Sequence, residues 1–409
     1  MQHWKIRLVP CLLVYVFSVS CLHRAKDSSS ADEKNRDLQE ISRFSTKSCR
    51  IHAVALDPQH SSRLAIYHGD SSLLVYDLSK QAAVWDREMP TAPGRNIPDQ
   101  GGDFHSIRFD KNSESVFVSS GSVIIELDGR DGSTRRSFEQ PTDSTERIFS
   151  YTAMALTSDD RFLAVIGALE TPPNFSIFEL TDFDYGTQLS KKKFKQRLQL
   201  WDRETAKLVR QADFEDSLIR EVGFSPNGTR IHATSLDNFR VFDGSTLTTI
   251  ADLDIKATIS GESGFSYITT SSVTDDLRFV AIKSLSRIYV INTESSRIVS
   301  SFGWSTEGLN SILAMRMNQE ATEIWLTDLD GMYLKFSLPD GEYLEGGHSS
   351  GNGRDKDKRK RMQGLFAMDI ERRFAIEAVP PDRPPFPIES DPTRRPNPDK
   401  CDAIRVVKL

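Results

Sequence analysis

Outside residues 8–22 the chain has no apolar run that could cross a bilayer. Only four of its 409 residues are cysteine, Cys11, Cys21, Cys49 and Cys401, and no Cys-x-x-Cys pair occurs. A G-x-S-x-G turn, an H-E-x-x-H signature and a P-loop are all missing, so no local motif of a hydrolase elbow, a zinc protease or a phosphate cradle is present. Positive charge is short as well. Lys+Arg number 52 against 58 Asp+Glu, a formal charge of −6, which argues against general nucleic-acid binding. Neither a cofactor nor a metal is expected. What remains, 38% hydrophobic and 27% charged with Gly and Pro spread along the chain, suits a soluble globular protein rich in turns.

The N-terminus carries a clear signal. Lys5 and Arg7 precede an uncharged apolar run from Leu8 to Val19 that contains the small Ser18 and is followed by Ser20, the layout of a secretory signal peptide over residues 1–20. Continued to Leu22, the run is still shorter than the roughly 20 residues that span a bilayer, which favours cleavage over anchoring. Removal of residues 1–20 leaves 50 Lys+Arg against 58 Asp+Glu, a charge of −8. The stretch Phe17-Ser18-Val19-Ser20-Cys21 is similar to a bacterial lipobox, with Ser18 where that motif usually has Leu. The similarity implies lipidation of Cys21; plain signal-peptidase cleavage is the alternative. Residues 21–37 then read as a flexible tether and 38–409 as one folded domain. The expected location is extracytoplasmic, as a periplasmic or outer-membrane lipoprotein or as a secreted protein.

An internal repeat governs the rest of the chain. Short alternating strands that end near an acidic or polar residue recur at 73–78 (LLVYDL), 123–128 (VIIELD), 198–203 (LQLWDR) and 239–244 (FRVFDG). Three more follow at 288–293 (IYVINT), 333–338 (YLKFSL) and 404–409 (IRVVKL). Apolar and polar positions alternate as in half-buried strands. Around each lies the same sequence of strand, tight turn, strand, the strand just quoted, turn and strand. The clearest copy, 222–250, has turns Ser225-Pro226-Asn227-Gly228 and Asp243-Gly244-Ser245-Thr246.

That copy, and the stretch Leu200-Trp201-Asp202-Arg203-Glu204-Thr205, resemble the WD40 repeat, and residues 38–409 are similar to the WD40-like and YVTN-like propellers. The resemblance implies an all-β, seven-bladed β-propeller with four-stranded blades around a central channel. Its motifs are degenerate: Trp-Asp ends a third strand in one blade, and Gly-His occurs only at Gly347-His348.

The last blade offers strands near 365–370, 373–379 and 403–409 before the chain ends, so its fourth strand is missing. An alternating segment at 38–46 has no blade of its own and is expected to complete the seventh, closing the ring and removing exposed sheet edges. In antiparallel neighbours the start of one strand lies beside the end of the other. Cys401 just precedes its strand and Cys49 just follows its own, so a Cys49–Cys401 disulfide is expected, worth on the order of 5 kcal/mol in the chain-entropy model.

Long connections are expected at 89–103, 168–197, 346–361 and the Pro-rich 380–400, all on one face of the ring. Loops on a rigid scaffold usually carry binding residues, so that face is where a protein partner is expected. Two runs there are basic in an otherwise acidic chain: Lys191, Lys192, Lys193, Lys195 and Arg197, and Lys358, Arg359, Lys360 and Arg361. They suit an acidic partner, an acidic polymer or anionic lipid headgroups; the blander reading is a pair of solvated loops. His52 and His105 take matching places at the start of successive first strands, where later blades have Thr152 and Arg220. Polar side chains at a wet rim are the simpler reading and a metal or proton-relay pair the sharper one. The functional expectation is a monomeric, non-catalytic protein-interaction scaffold, in contact with membrane only through a lipid anchor. The alternative is a propeller enzyme, lactonase-like or otherwise hydrolytic, or a binder of small ligands or metal at the channel mouth.

Overall fold

A computed structural model of the chain describes residues 35–37, 39–45, 51–60, 62–68, 72–89, 106–120, 122–140, 148, 150–169, 192–259, 268, 270–284, 287–303, 312–328, 332–348, 364–369, 374–379 and 403–409. The signal segment, Cys21, Cys49, Cys401, His105, Lys191 and the run 354–361 lie outside the described residues. The fold is all-β. Sheet I comprises β3 to β6 (Ile51–Leu56, Arg63–His68, Ser72–Asp77, Ala82–Glu88) and sheet II β7 to β10 (Ser106–Phe109, Ser115–Ser120, Val123–Asp128, Thr134–Phe138). Sheet III comprises β11 to β14 (Ser150–Leu156, Phe162–Ala168, Phe194–Asp202, Lys207–Asp216) and sheet IV β15 to β18 (Glu221–Phe224, Arg230–Thr234, Asn238–Asp243, Thr249–Asp254). A short helix α1 (Ile255–Ile259) leads to sheet V, β19 to β22 (Thr270–Val273, Phe279–Ser284, Arg287–Asn292, Arg297–Gly303). Sheet VI holds β23 to β26 (Ile312–Met317, Glu323–Asp328, Met332–Ser337, Tyr343–His348), with β1 (Asn35–Asp37) added parallel to β26. Sheet VII is β27 to β29 (Gly364–Asp369, Phe374–Val379, Ala403–Lys408) plus β2 (Glu40–Ser45), which pairs antiparallel with β29, Ser45 opposite Ala403.

Local chemistry explains the repetition of this hairpin plan. Where the third strand ends, one side chain accepts the backbone N–H groups of the turn: Asp77 from Ser79 at 2.9 Å and Lys80 at 3.2 Å, Asp202 from Thr205 at 2.9 Å, Asp243 from Ser245 at 2.9 Å and Thr246 at 2.8 Å, and Asn292 from Ser295 at 2.9 Å. Four residues later the backbone turns left-handed, at Gln81, Gly132, Ala206, Leu247, Ser296 and Gly341, and three residues further on, at Val84, Arg135, Val209, Ile250, Val299 and Leu344, the ladder slips by one residue. This is a type I turn with a bulge, which matches the right-handed twist of the strands. The turn between first and second strands is equally regular. Asp110, Thr157, Ser225, Thr274 and Asn318 each accept the N–H five residues on, at 2.9 to 3.1 Å.

Apolar residues fill the spaces between sheets. Sheets I and II share a cluster built on Tyr67, Leu73, Val75, Val116, Val118 and Leu127, and Trp201 with Phe117 and Phe138 packs sheet II on III. Similar clusters join III to IV, IV to V and V to VI. A buried ion network adds to the II–III contact. Arg203 reaches Asp110 at 2.7 Å, Glu126 at 2.8 Å and Ser115 at 3.0 Å and lies over the Phe117 ring, while Arg136 takes the other Glu126 oxygen at 3.2 Å.

Two elements depart from the sequence reading. Asn35–Asp37, placed in the tether, forms a strand because β26 offers it an unpaired edge. The third strand of sheet III starts at Phe194 rather than near 198, since β14 extends the ladder to Phe194 opposite Asp216. The final basic residues of the 191–197 run are therefore strand, not loop.

Candidate functional site

The first strands of most successive sheets touch one another. β3 touches β7, β7 touches β11, β11 touches β15, β19 touches β23, β23 touches β27 and β27 touches β3. β15 and β19 stand further apart and are bridged by a hydrogen bond from Ser271 Oγ to Glu221 Oε2 of 2.8 Å. Strand register puts one residue of each sheet at an equivalent place, one before the last ladder pair. Four sheets have small residues there, Ala55, Ala155, Gly223 and Ser272, sheet VII has Met368, and sheets II and VI have Arg108 and Arg316. At this place two guanidinium groups stand where four other sheets have a small side chain.

They share a pocket of about 230 Å³ lined by Arg108, Arg220, Glu221, Thr234, Ser271 and Arg316, together with Ser235, Ile268, Thr270, Ala314 and Met315. Sheets II, IV, V and VI all contribute. Arg108 is accessible to solvent yet enclosed by protein. Burial lowers its pKa below the ordinary guanidinium value, Arg316 lowers it further and Glu221 opposes both. The like charges of Arg108 and Arg316 are thus held close, with Glu221 the carboxylate beside them in the pocket lining. Thr234 is 2% exposed, lines the pocket and has an Oγ1 with no hydrogen-bond partner among the described residues.

Behind the pocket His232 fills the space opened by Gly223, where an added Cβ would come within 2.3 Å of the imidazole. Burial lowers the His232 pKa, with Glu221 and Asp275 opposing, so the ring is neutral; it stacks on Phe239 at 5.8 Å. This histidine packs rather than binds. A second polar cluster gathers where β14 leads into β15. Asp216 has a pKa raised by burial, against the pull of Arg240 and Lys193, and Ser235 donates to it at 3.1 Å.

The basic run 191–197 is partly consumed by the fold. Lys193 bonds Asp237 at 3.0 Å and lies 3.6 Å from Asp216; burial works against its charge, but those two carboxylates hold its pKa above the usual lysine value. Arg197 is buried and grips Asp213 through two bonds of 2.5 and 2.7 Å. Lys192 lies over Phe194, and Lys195 is an exposed residue of β13 opposite Glu215. Only the backbone of His52 is described; it sits at the register slip of β3, as Thr152 does in β11, and Thr152 donates to the Ile166 carbonyl at 3.2 Å. Arg220, matched with these two in sequence, lines the pocket. Among the described residues no three His, Cys, Asp or Glu side chains gather to hold a metal, and no helix among them is long and apolar enough to cross a membrane.

Sequence reasoning missed Arg108, Glu221, Thr234 and Arg316. A signal existed, since aligning the first strands puts Arg108 and Arg316 in a column that is Ala, Gly or Ser in four other sheets. No family model matches the chain, and no curated protein is significantly similar to it.

Proposed function

We propose that the seven sheets are the blades of a WD40-like propeller closed by β2, and that the protein is an exported, non-catalytic scaffold for a protein partner. The succession of touching first strands supports the ring, as does the meeting of Arg108 and Arg316 from sheets that are not neighbours in the chain. Turn-to-turn hydrogen bonds support it too: Gln59 to the Lys111 carbonyl at 3.0 Å, Lys111 to Asp160 at 3.0 Å, Ser158 to the Pro226 carbonyl at 2.6 Å and Asp275 to Gln319 at 2.7 Å.

One observation carries the scaffold reading. Every connection at the edge with those turns has four to six residues, whereas all longer connections, including 169–193, 349–363 and 380–402, leave from the other edge. Chain invested at one edge of a rigid frame is binding surface. Lys193 and Arg197 are engaged internally, so the cationic share of that surface falls to Lys191, Lys192, Lys195, Lys358, Arg359, Lys360 and Arg361, suited to an acidic protein partner. Residues 1–20 serve as export signal in this reading, and lipidated Cys21 tethers the short-turn edge, leaving the other free.

Shortening 349–363 and 380–399 to minimal linkers that keep Cys401 is expected to abolish capture of the partner from envelope extracts without lowering the Tm by more than a few degrees. Undiminished capture by the shortened protein, or turnover or bound metal lost on His52→Ala, would overturn the scaffold reading.

A further inference from the structure

The arginine pocket is not explained by packing. Both arginines are reached by solvent, but like charges that face each other in one pocket weaken the fold that holds them. Arg108 and Arg316 nevertheless stand in one cavity, each at a place where four other sheets put Ala, Gly or Ser. Among the described residues no carboxylate forms an ion pair with either. A buried hydroxyl without a partner is a second cost, and Thr234 Oγ1 is one, on the same wall. Costs concentrated in one cavity mark a place built for a ligand rather than for stability.

We propose that this pocket binds a small hydroxylated anion, with Arg108 and Arg316 on its anionic group and Thr234 and Glu221 on its hydroxyls. Guanidinium groups present paired N–H donors that match the two oxygens of a carboxylate or phosphate. Thr234 Oγ1 donates or accepts, and Glu221, already accepting from Ser271, has a second oxygen to receive a ligand hydroxyl. Arg220 and Ser235 belong to the pocket wall where β15 begins and β16 turns into β17, at the edge that carries the long connections. The proposal does not depend on those connections or on any protein partner.

Glucuronate, inorganic phosphate and glucose separate the elements of the claim when titrated by calorimetry into the full mature chain. Glucuronate is expected to bind saturably, phosphate more weakly and glucose not at all. Arg108→Gln and Arg316→Gln should each weaken glucuronate at least about tenfold, the usual loss of a charge-assisted hydrogen bond. Without ligand both should raise the Tm, since each removes like-charge repulsion; a purely structural arginine would lower it. Thr234→Val keeps the shape and should weaken glucuronate severalfold while leaving phosphate unchanged. Absence of saturable binding by either anion, or equal glucuronate binding by the arginine variants, would overturn the anion site. Equal affinity of glucuronate and phosphate in both wild type and Thr234→Val would overturn the assignment of the hydroxyls. The long-connection variants retain the pocket, so loss of partner capture in them leaves this binding unchanged.

Discussion

At the scale of single residues, stability of the repeat rests on side chains that take over backbone donors in the turns. Asp77 accepts from Ser79 N, Ser79 Oγ and Lys80 N, and the Ser79 hydroxyl chiefly, against a burial cost, holds its pKa at about 2. Asp77→Ala is expected to cost about 1 kcal/mol in urea unfolding at pH 7. Asp77→Asn should lose less, since Asn292 does the same work in sheet V. Because the folded pKa is depressed, the carboxylate's contribution is complete above pH 4 and is lost as pH falls toward 2, a loss absent from the Asn variant. Lys283 illustrates the opposite case. It is 2% exposed on β20, and burial lowers its pKa to about 8. The unfolded chain then binds the extra proton between pH 8 and 10, so wild-type stability should rise by roughly 2–3 kcal/mol over that window. A Lys283→Met protein that keeps the same rise in chemical denaturation would show the lysine is not its source.

At the scale of elements, sheets II and III are joined by more than apolar packing. Arg203 leaves the third strand of sheet III and neutralises Asp110 and Glu126 of sheet II, both essentially inaccessible to water. Arg203→Ala removes the main counter-charge of buried carboxylates and is expected to destabilise by roughly 3–5 kcal/mol, with Arg136 retaining part of the Glu126 contact. A loss below 1 kcal/mol in equilibrium unfolding would mean that water replaces the guanidinium. The Asp202-Arg203 pair was visible in the sequence as the one Trp-Asp-type strand end, but its partner sheet was not. Asp110 and Glu126 lie 93 and 77 residues away, and periodicity carries no information about contacts at that separation.

For the whole molecule the decisive contact is β2 on β29, which covers the last open strand. A chain that begins at residue 47 would present β29 as an unpaired edge, and such edges recruit other strands. It is expected to show a lower Tm and self-association by light scattering; a monomer of unchanged Tm would refute the proposed closure by β2. Register also bears on the expected disulfide. Ser45 faces Ala403, so Cys49 follows and Cys401 precedes a directly opposed pair. Both thiols titrating in the unreduced protein would exclude that link.

Strand number, strand order within each sheet and the turn chemistry were written locally, because alternation sets which residues can be buried and an Asp or Ser at a strand end sets the turn. Residues 38–46 could be assigned to the last sheet for the same reason, being one alternating segment left without neighbours. The site was not legible in that way. Arg108 and Arg316 are 208 positions apart, and each alone reads as an ordinary polar residue of an alternating strand. Nothing local shows that the two strands face one cavity, or that Thr234 is left there without a partner. Likewise Lys193 and Arg197 read as a free basic loop until β14 supplied Asp213 and the turn after β16 supplied Asp237. Alternation and turn preferences act over a few residues, so the chain by itself determined the sheets. Charge pairing and cavity shape depend on which sheets come together, so only the tertiary structure decided which arginines are structural and which line a pocket.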